Sequence, residues 1–271
     1  MISCEQYAAD VKAVLKRDIT PLDRKPHLVI IKVGDNPASN SYVKGKIKDC
    51  EEVGIEYNVL ECDKYISEVA LLGVIDTYNK NKYVDGIIVQ LPLPGHLNAD
   101  KITNHIAKEK DVDGFRPDSP FDPCTPKGII DWLEYNNYEF EGKDAVVVGR
   151  SKIVGKPLVN MLIDKGCTVT CCHSKTQELY LHTSCADLVV SAIGKPKYFT
   201  NPDIGSHTVV VDVGINRDDN GKLCGDVDRE DILTTTVDTY VTPVPKGVGL
   251  LTRVTLLKNV YDAYMMGGKD E

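Results

Sequence analysis

The feature that most constrains this chain is the recurrence of short, β-branched apolar runs separated by stretches of helical spacing. Candidate strands cover 27–33, 56–61, 86–90, 144–149, 168–172, 186–192 and 208–213. Runs such as AVVVG (145–149) and TVVVDVG (208–214) are almost uninterrupted, as expected of parallel strands covered on both faces. Helical spacing fills 39–53, 67–80, 126–135, 155–165 and 249–265, and Asn36 to Ser39 supply turn and capping residues for the first of these. The alternation predicts an α/β fold with open, mostly parallel sheets.

Two proline-rich breaks divide the pattern. Residues 111–126, DVDGFRPDSPFDPCTP, carry four prolines in sixteen positions, which no single regular element tolerates, and Pro243 and Pro245 form a second break. They predict a Rossmann-like dinucleotide-binding domain at 125–241, set into a first domain of 1–124 plus 242–271, with ligand in the cleft between them. The length of 271 residues suits two modest domains. Lys and Arg number 32 against 40 Asp and Glu, a net charge of −8 that disfavours a nucleic-acid binder. No apolar run approaches the roughly 18–20 residues of a membrane span, and the N-terminus lacks the apolar stretch of a signal peptide. Nine cysteines form an odd set without a CxxC pair, so the expectation is buried reduced thiols in a cytoplasmic protein, with no metal site.

The best local signal is Ala145 to Pro157, where a buried strand enters a glycine turn at Gly149 and a second glycine, Gly155, opens a helix. That geometry aims backbone N–H groups and a helix dipole at a pyrophosphate. The spacing is G-x5-G rather than G-x-G-x-x-G, which an unliganded strand-to-helix turn also satisfies. The next strand ends in His173-Ser174-Lys175-Thr176, with no acid for the ribose hydroxyls of NAD. Arg150 and Ser151, with Ser174 and Lys175 across the sheet, suit a 2′-phosphate and therefore NADP.

A chemical signal comes from the first domain. Tyr42 and Lys46 lie four residues apart and share a helix face, an arrangement that is by itself commonly a solvated surface. Gln90 closes a candidate strand, at the carboxyl end where open α/β sheets place ligand groups, and Leu91-Pro92 stops it. Asp113 opens the proline-rich seam, where a polar turn aspartate is equally at home. These four side chains could gather in one cleft.

The strings VGDNPASNSYVKGKIKDCEEVGI (33–55), GIIVQLPLPGHL (86–97), KDVDGFRP (110–117), PCTPKGI (123–129), VVGRSKIVGKP (147–157), HSKT (173–176) and DVGIN (212–216) together resemble one family. It is the bifunctional methylenetetrahydrofolate dehydrogenase/methenyltetrahydrofolate cyclohydrolase family. The resemblance implies oxidation of 5,10-methylenetetrahydrofolate with NADP to the methenyl cation, then hydrolysis to 10-formyltetrahydrofolate. It implies that Lys46 is the general acid/base of the hydrolytic step. That role needs the free amine at neutral pH, which a cationic substrate, desolvation and Gln90 would together favour. It further implies that Tyr42 stacks on or orients the folate and that Asp113 accepts hydrogen bonds from the pterin edge. Gly149, Arg150, Ser151, Ser174 and, near the nicotinamide, Ile215 are the implied cofactor positions, and the implied assembly is a homodimer.

The chain departs from the family pattern in three places. PVPKGVGLLTRVTLL (243–257) carries Lys246, Leu250 and Arg253 where a glycine, a proline and an apolar residue are usual, in a loop expected to approach both ligands. The segment between Phe115 and Pro123 is shorter than usual, and the late start implies a missing first element. Two other readings fit the same residues. One is an NADP-dependent dehydrogenase without cyclohydrolase activity, in which Lys46 only positions substrate. The other is a non-catalytic folate or nucleotide sensor with an altered Lys246–Arg253 loop.

Overall fold

The protein is described by a computed structural model covering residues 1–267. Helix α1 (Cys4–Ile19), strand β1 (His27–Val33), α2 (Pro37–Val53), β2 (Glu56–Cys62), α3 (Glu68–Asn79), β3 (Gly86–Val89) and α4 (Ala99–Thr103) come first. They are followed by α5 (Cys124–Tyr135), β4 (Asp144–Val148), α6 (Gly155–Asp164), β5 (Thr168–Cys172), α7 (Leu179–Thr183), β6 (Leu188–Ser191) and β7 (Val209–Asp212). The short β8 (Asn216–Arg217), β9 (Leu223–Cys224), α8 (Arg229–Thr235), β10 (Tyr240–Val241) and the long α9 (Val248–Gly267) complete the order.

The chain divides into two units, one of Ala9–Cys124 with the segment from Arg253 onward, the other of Met1–Ala8 with Thr125–Thr252. The first holds a parallel sheet in the order β2-β1-β3. Strand β1 explains its own composition. Leu28 and Ile30 enter one buried cluster with α2 and α9, while Val29, Ile31 and Val33 enter another with α3, so both faces are apolar. Truncating Ile30 to alanine removes such packing at a cost of about 2–5 kcal/mol. Asn36 caps α2, its Oδ1 accepting from Ser39 N at 3.2 Å, and Pro37 takes the first helical position.

The second unit holds a parallel five-stranded sheet in the order β10-β7-β6-β4-β5, with the antiparallel pair β8-β9 apart from it. The chain reverses direction across the sheet at β4, passing first to β5 and then to β6 on the other side. That switch point puts the turn at Gly149 at the carboxyl end of β4, the general ligand position of such sheets.

Two expectations are corrected. The domain ending at 241 in fact continues to Thr252 and takes in Met1–Ala8. The tertiary reasons are local: Trp132 Nε1 donates to Ile2 O at 3.0 Å, Tyr7 packs edge-on to Tyr135 at 5.1 Å, and the Thr125 and Thr252 hydroxyls meet at 2.9 Å. Helix α1 buries Cys4, Tyr7, Ala8, Leu15 and Ile19 along one stripe. Not every thiol is buried either. All nine cysteines are free, but Cys171 and Cys185 are exposed, Cys171 because β5 is an edge strand whose alternate residues face outward. Among the described residues no helix is long and apolar enough to cross a membrane, and no group of three metal-ligating side chains gathers.

Candidate active site

In the three-stranded unit, Lys46, Gln90 and Asp113 converge. Lys46 projects from the third turn of α2 and is only 7% exposed, unusual for a lysine without a carboxylate bonded to it. Its Nζ donates to Gln90 Oε1 at 3.2 Å. Gln90 follows β3 directly, and its N–H still pairs with Ile31 O at 2.8 Å, which holds its backbone in line with the sheet. The side-chain Nε2 donates to Leu91 O at 2.8 Å, so the amide is turned with its oxygen towards Lys46. Burial pushes the Asp113 carboxyl up, and the Lys46 charge and the Cys124 thiol pull it partly back. Asp113 is itself held by its neighbours: Cys124 N donates to Asp113 O at 3.3 Å, and Val112 O accepts from Cys124 Sγ at 3.3 Å and Asn259 Nδ2 at 2.8 Å.

Tyr42 lies one turn before Lys46 on α2, half-buried. Burial pushes its hydroxyl up, and the nearby Arg253 charge lowers it again. Lys46, Gln90 and Asp113 therefore bring together an amine, an amide oxygen and a carboxylate, with the Tyr42 phenol one turn away on α2. The cluster can exchange a proton, orient a reacting oxygen and read a heterocycle edge.

In the five-stranded unit, Val148 at the end of β4 pairs with Cys172 at the end of β5, which sets Gly149 and His173 side by side. Gly149 N donates to Cys172 O at 2.9 Å. A Cβ on Gly155 would run into the Gly149 carbonyl, so only glycine lets α6 begin hard against the turn. Ser151 Oγ accepts from Val154 N at 3.2 Å and Gly155 N at 3.3 Å, capping that start. Arg150, Ser151, Ser174 and Lys175 are exposed there, with no carboxylate among 173–176. This donor set fits a phosphate-bearing dinucleotide.

Ile215 does not join them. It sits after β7, separated from β4 by β6, and is 49% exposed. Its loop is tied by two carboxylates that sequence reasoning missed. Asp212 accepts from the N–H groups of Gly214, Asp226 and Val227, all at 2.9 Å. Asp226 accepts from Ser191 Oγ, Ile193 N, Lys195 N and Asn216 Nδ2, also at 2.9 Å. Burial pushes the Asp212 carboxyl up to about 6. An acid placed inside the apolar run VVVDVG was the available signal.

The altered last loop splits between the units. Lys246 pairs with Glu5 at 3.0 Å and stands at φ 78°, a left-handed conformation that costs a side-chain-bearing residue roughly 1–2 kcal/mol. Arg253 reaches Asp49 at 3.0 Å instead. Asp49, three residues after Lys46 on the same helix face, was a third missed position, legible from the i, i+3 spacing.

Residues 2–113 match the catalytic domain of tetrahydrofolate dehydrogenase/cyclohydrolase, and residues 123–267 match that family's NAD(P)-binding domain. The bifunctional protein FolD of Bacillus anthracis is 44% identical over a 280-residue alignment, covering 99% of this chain and 97% of the relative. The solved FolD methylenetetrahydrofolate dehydrogenase/cyclohydrolase of Campylobacter jejuni superposes with a TM-score of 0.93 at 41% identity, over 97% of this chain and 98% of that one. The Trypanosoma brucei enzyme, solved with NADP cofactor and an inhibitor, superposes with a TM-score of 0.92 at 29% identity, over 98% and 97% of the two chains. The chain belongs to the tetrahydrofolate dehydrogenase/cyclohydrolase family.

Proposed function

We propose that Lys46, Gln90, Asp113 and Tyr42 form the reaction centre of a bifunctional methylenetetrahydrofolate dehydrogenase and methenyltetrahydrofolate cyclohydrolase that works with NADP. The observation that carries this reading is the buried Lys46 side chain, its Nζ 3.2 Å from Gln90 Oε1 and its charge acting on Asp113. In the first half-reaction the C–H bond of the bridging methylene breaks and its hydride leaves, giving the methenyl cation between N5 and N10. NADP, when bound, supplies the acceptor for that hydride. In the second, water adds to the cationic carbon. Lys46 as the amine takes one proton from the adding water and delivers it to N5 as the C–N5 bond breaks, while the remaining hydroxyl proton leaves to solvent as the formyl C=O forms, yielding 10-formyltetrahydrofolate and one released proton.

Each neighbour has a physical task. A cationic substrate beside Lys46 favours the amine over the ammonium, and Gln90 orients it without adding charge. Asp113 accepts N–H donors of the pterin edge, which favour its ionised form despite burial. The Tyr42 ring stacks on the folate. For the cofactor, Gly149 and Gly155 shape the phosphate turn, Ser151 caps the helix behind it, and Arg150 with Ser174 and Lys175 receives a 2′-phosphate. Ile215 lines the nicotinamide end. The NADP in the Trypanosoma brucei relative supports the same cofactor. Nine free thiols support a reducing compartment, the cytoplasm, and the family resemblance supports a homodimer.

The test uses the purified protein with methylenetetrahydrofolate and either NADP or NAD. Reduced cofactor and methenyl product are followed separately by absorbance. The expected outcome is preferential NADP reduction followed by methenyl decay faster than in buffer. Decay no faster than in buffer removes the hydrolytic role.

A further inference from the structure

Arg253 stands where the sequence pattern leads one to expect an apolar residue, and the structure gives it a specific partner. Its Nε lies 3.0 Å from Asp49 Oδ2, an ionic contact without hydrogen-bond alignment, and the Asp49 side chain is only 5% exposed. Its Nη1 fills the space that a Cβ on Gly45 would need, so the guanidinium packs against α2 immediately before Lys46. Its charge also reaches Tyr42. Lys12 of α1 approaches Asp49 at 3.5 Å but is bonded more closely to Glu52, at 2.6 Å. Two carboxylates, Asp49 and Glu52, are thus balanced by two cations, Lys12 and Arg253. Removing Arg253 leaves this group with one net negative charge, a turn along the helix from Lys46. Burial pushes the neighbouring Cys50 thiol up, Asp49 raises it further and Lys46 lowers it. The other charged or titratable groups facing Lys46 are Asp113 and Cys124, from the loop after α4 and the start of α5.

We propose that Arg253 is a positioning residue for the hydrolytic step, acting by neutralising Asp49 so that Lys46 answers only to Gln90, Asp113 and the substrate. This rests on the acid/base role proposed above for Lys46. A carboxylate left uncompensated beside Lys46 holds it as the ammonium to higher pH, and a cation left uncompensated does the reverse.

The experiment records the pH–rate profile of methenyltetrahydrofolate hydrolysis, with the uncatalysed rate subtracted, for four variants of the full chain. Arg253→Met should move the rising limb up by about one pH unit, and Asp49→Asn should move it down by a similar amount. The double variant should return it to the wild-type position, and Arg253→Lys should leave it in place. Dehydrogenase KM for NADP should not change in any of them. A packing role for Arg253 predicts loss of rate without movement of the limb, or a double variant worse than either single one; both results overturn the proposal. If Arg253→Met fails to fold, Asp49→Asn decides alone, since an unmoved or raised limb contradicts the mechanism. Lys46→Met separates the two levels. If it leaves hydrolysis intact, the role of Lys46 and this inference fall together; if it abolishes hydrolysis while the limbs stay fixed, only this inference falls.

Discussion

Replacing Gln90 by glutamate changes one polar atom and adds one charge at the position that faces Lys46. At the 3.2 Å separation of Lys46 Nζ and Gln90 Oε1, an effective dielectric of about 20 gives a Coulomb attraction of about 5 kcal/mol. One pH unit corresponds to about 1.36 kcal/mol, so full expression would displace the pH–rate profile of the variant by nearly four pH units. Gln90 is half-buried, and solvent screening reduces this to about two. The sign is fixed: a carboxylate stabilises the ammonium, so the catalytically competent amine appears only at higher pH. Hydrolysis at pH 7 should fall about 10²-fold and recover about tenfold per pH unit on the alkaline side. The assay is methenyl decay from pH 6 to 9.5, corrected for the buffer rate at each pH. Gln90→Leu, which removes the oxygen without adding charge, should lower the rate but keep the position of the limb. Equal loss for Gln90→Glu at every pH would refute the electrostatic reasoning, and no loss would remove Lys46 as the titrating group.

Three further outcomes are expected. Lys46→Met should lower cyclohydrolase activity by about 10²-fold or more while retaining NADP binding, measured by methenyl decay and by fluorescence titration of the cofactor; unchanged hydrolysis would exclude the lysine from the step. Arg150→Ala should weaken NADP by about 1.5–3 kcal/mol and NAD much less, and equal losses would mean that the arginine only supports the turn. Asp212, pushed up to about 6 by burial, should titrate near that pH in a carbon-detected NMR experiment on its carboxyl. Because its folded value lies above the unfolded one, its contribution to stability is complete below about pH 4 and is lost as pH rises through 6. A midpoint below about 4.5 would contradict the burial argument.

The Asp49–Arg253 pair and the Lys246–Glu5 pair bear on how family departures are read. Each unusual residue has acquired a compensating partner far away in the sequence, so neither substitution is a simple loss. Lys246 retains the left-handed backbone that glycine adopts freely, and Arg253 occupies the room that Gly45 leaves by lacking a side chain.

By itself the chain's order of residues determined the class of fold. Strands such as Leu188–Ser191 and Val209–Asp212 are apolar at nearly every position because helices cover both faces of a parallel sheet, and that burial writes itself into local composition. It also placed Tyr42 and Lys46 on one helix face by spacing alone and Gln90 at the end of a strand. Helix α1 was equally legible, its stripe of Cys4, Tyr7, Ala8, Leu15 and Ile19 being regular, but it was obscured by the charged residues between them. Tertiary structure alone decided the rest. The meeting of Lys46 with Gln90, 44 positions apart, and of Asp49 with Arg253, depends on how α2 lies against β3 and α9, and no local pattern encodes a distance between elements. The same holds for the unit boundary at Thr252, fixed by contacts of Thr125, Trp132 and Tyr135 rather than by the prolines that mark the chain. Periodicity records which face of an element is buried; only packing of the whole chain selects what that face is buried against.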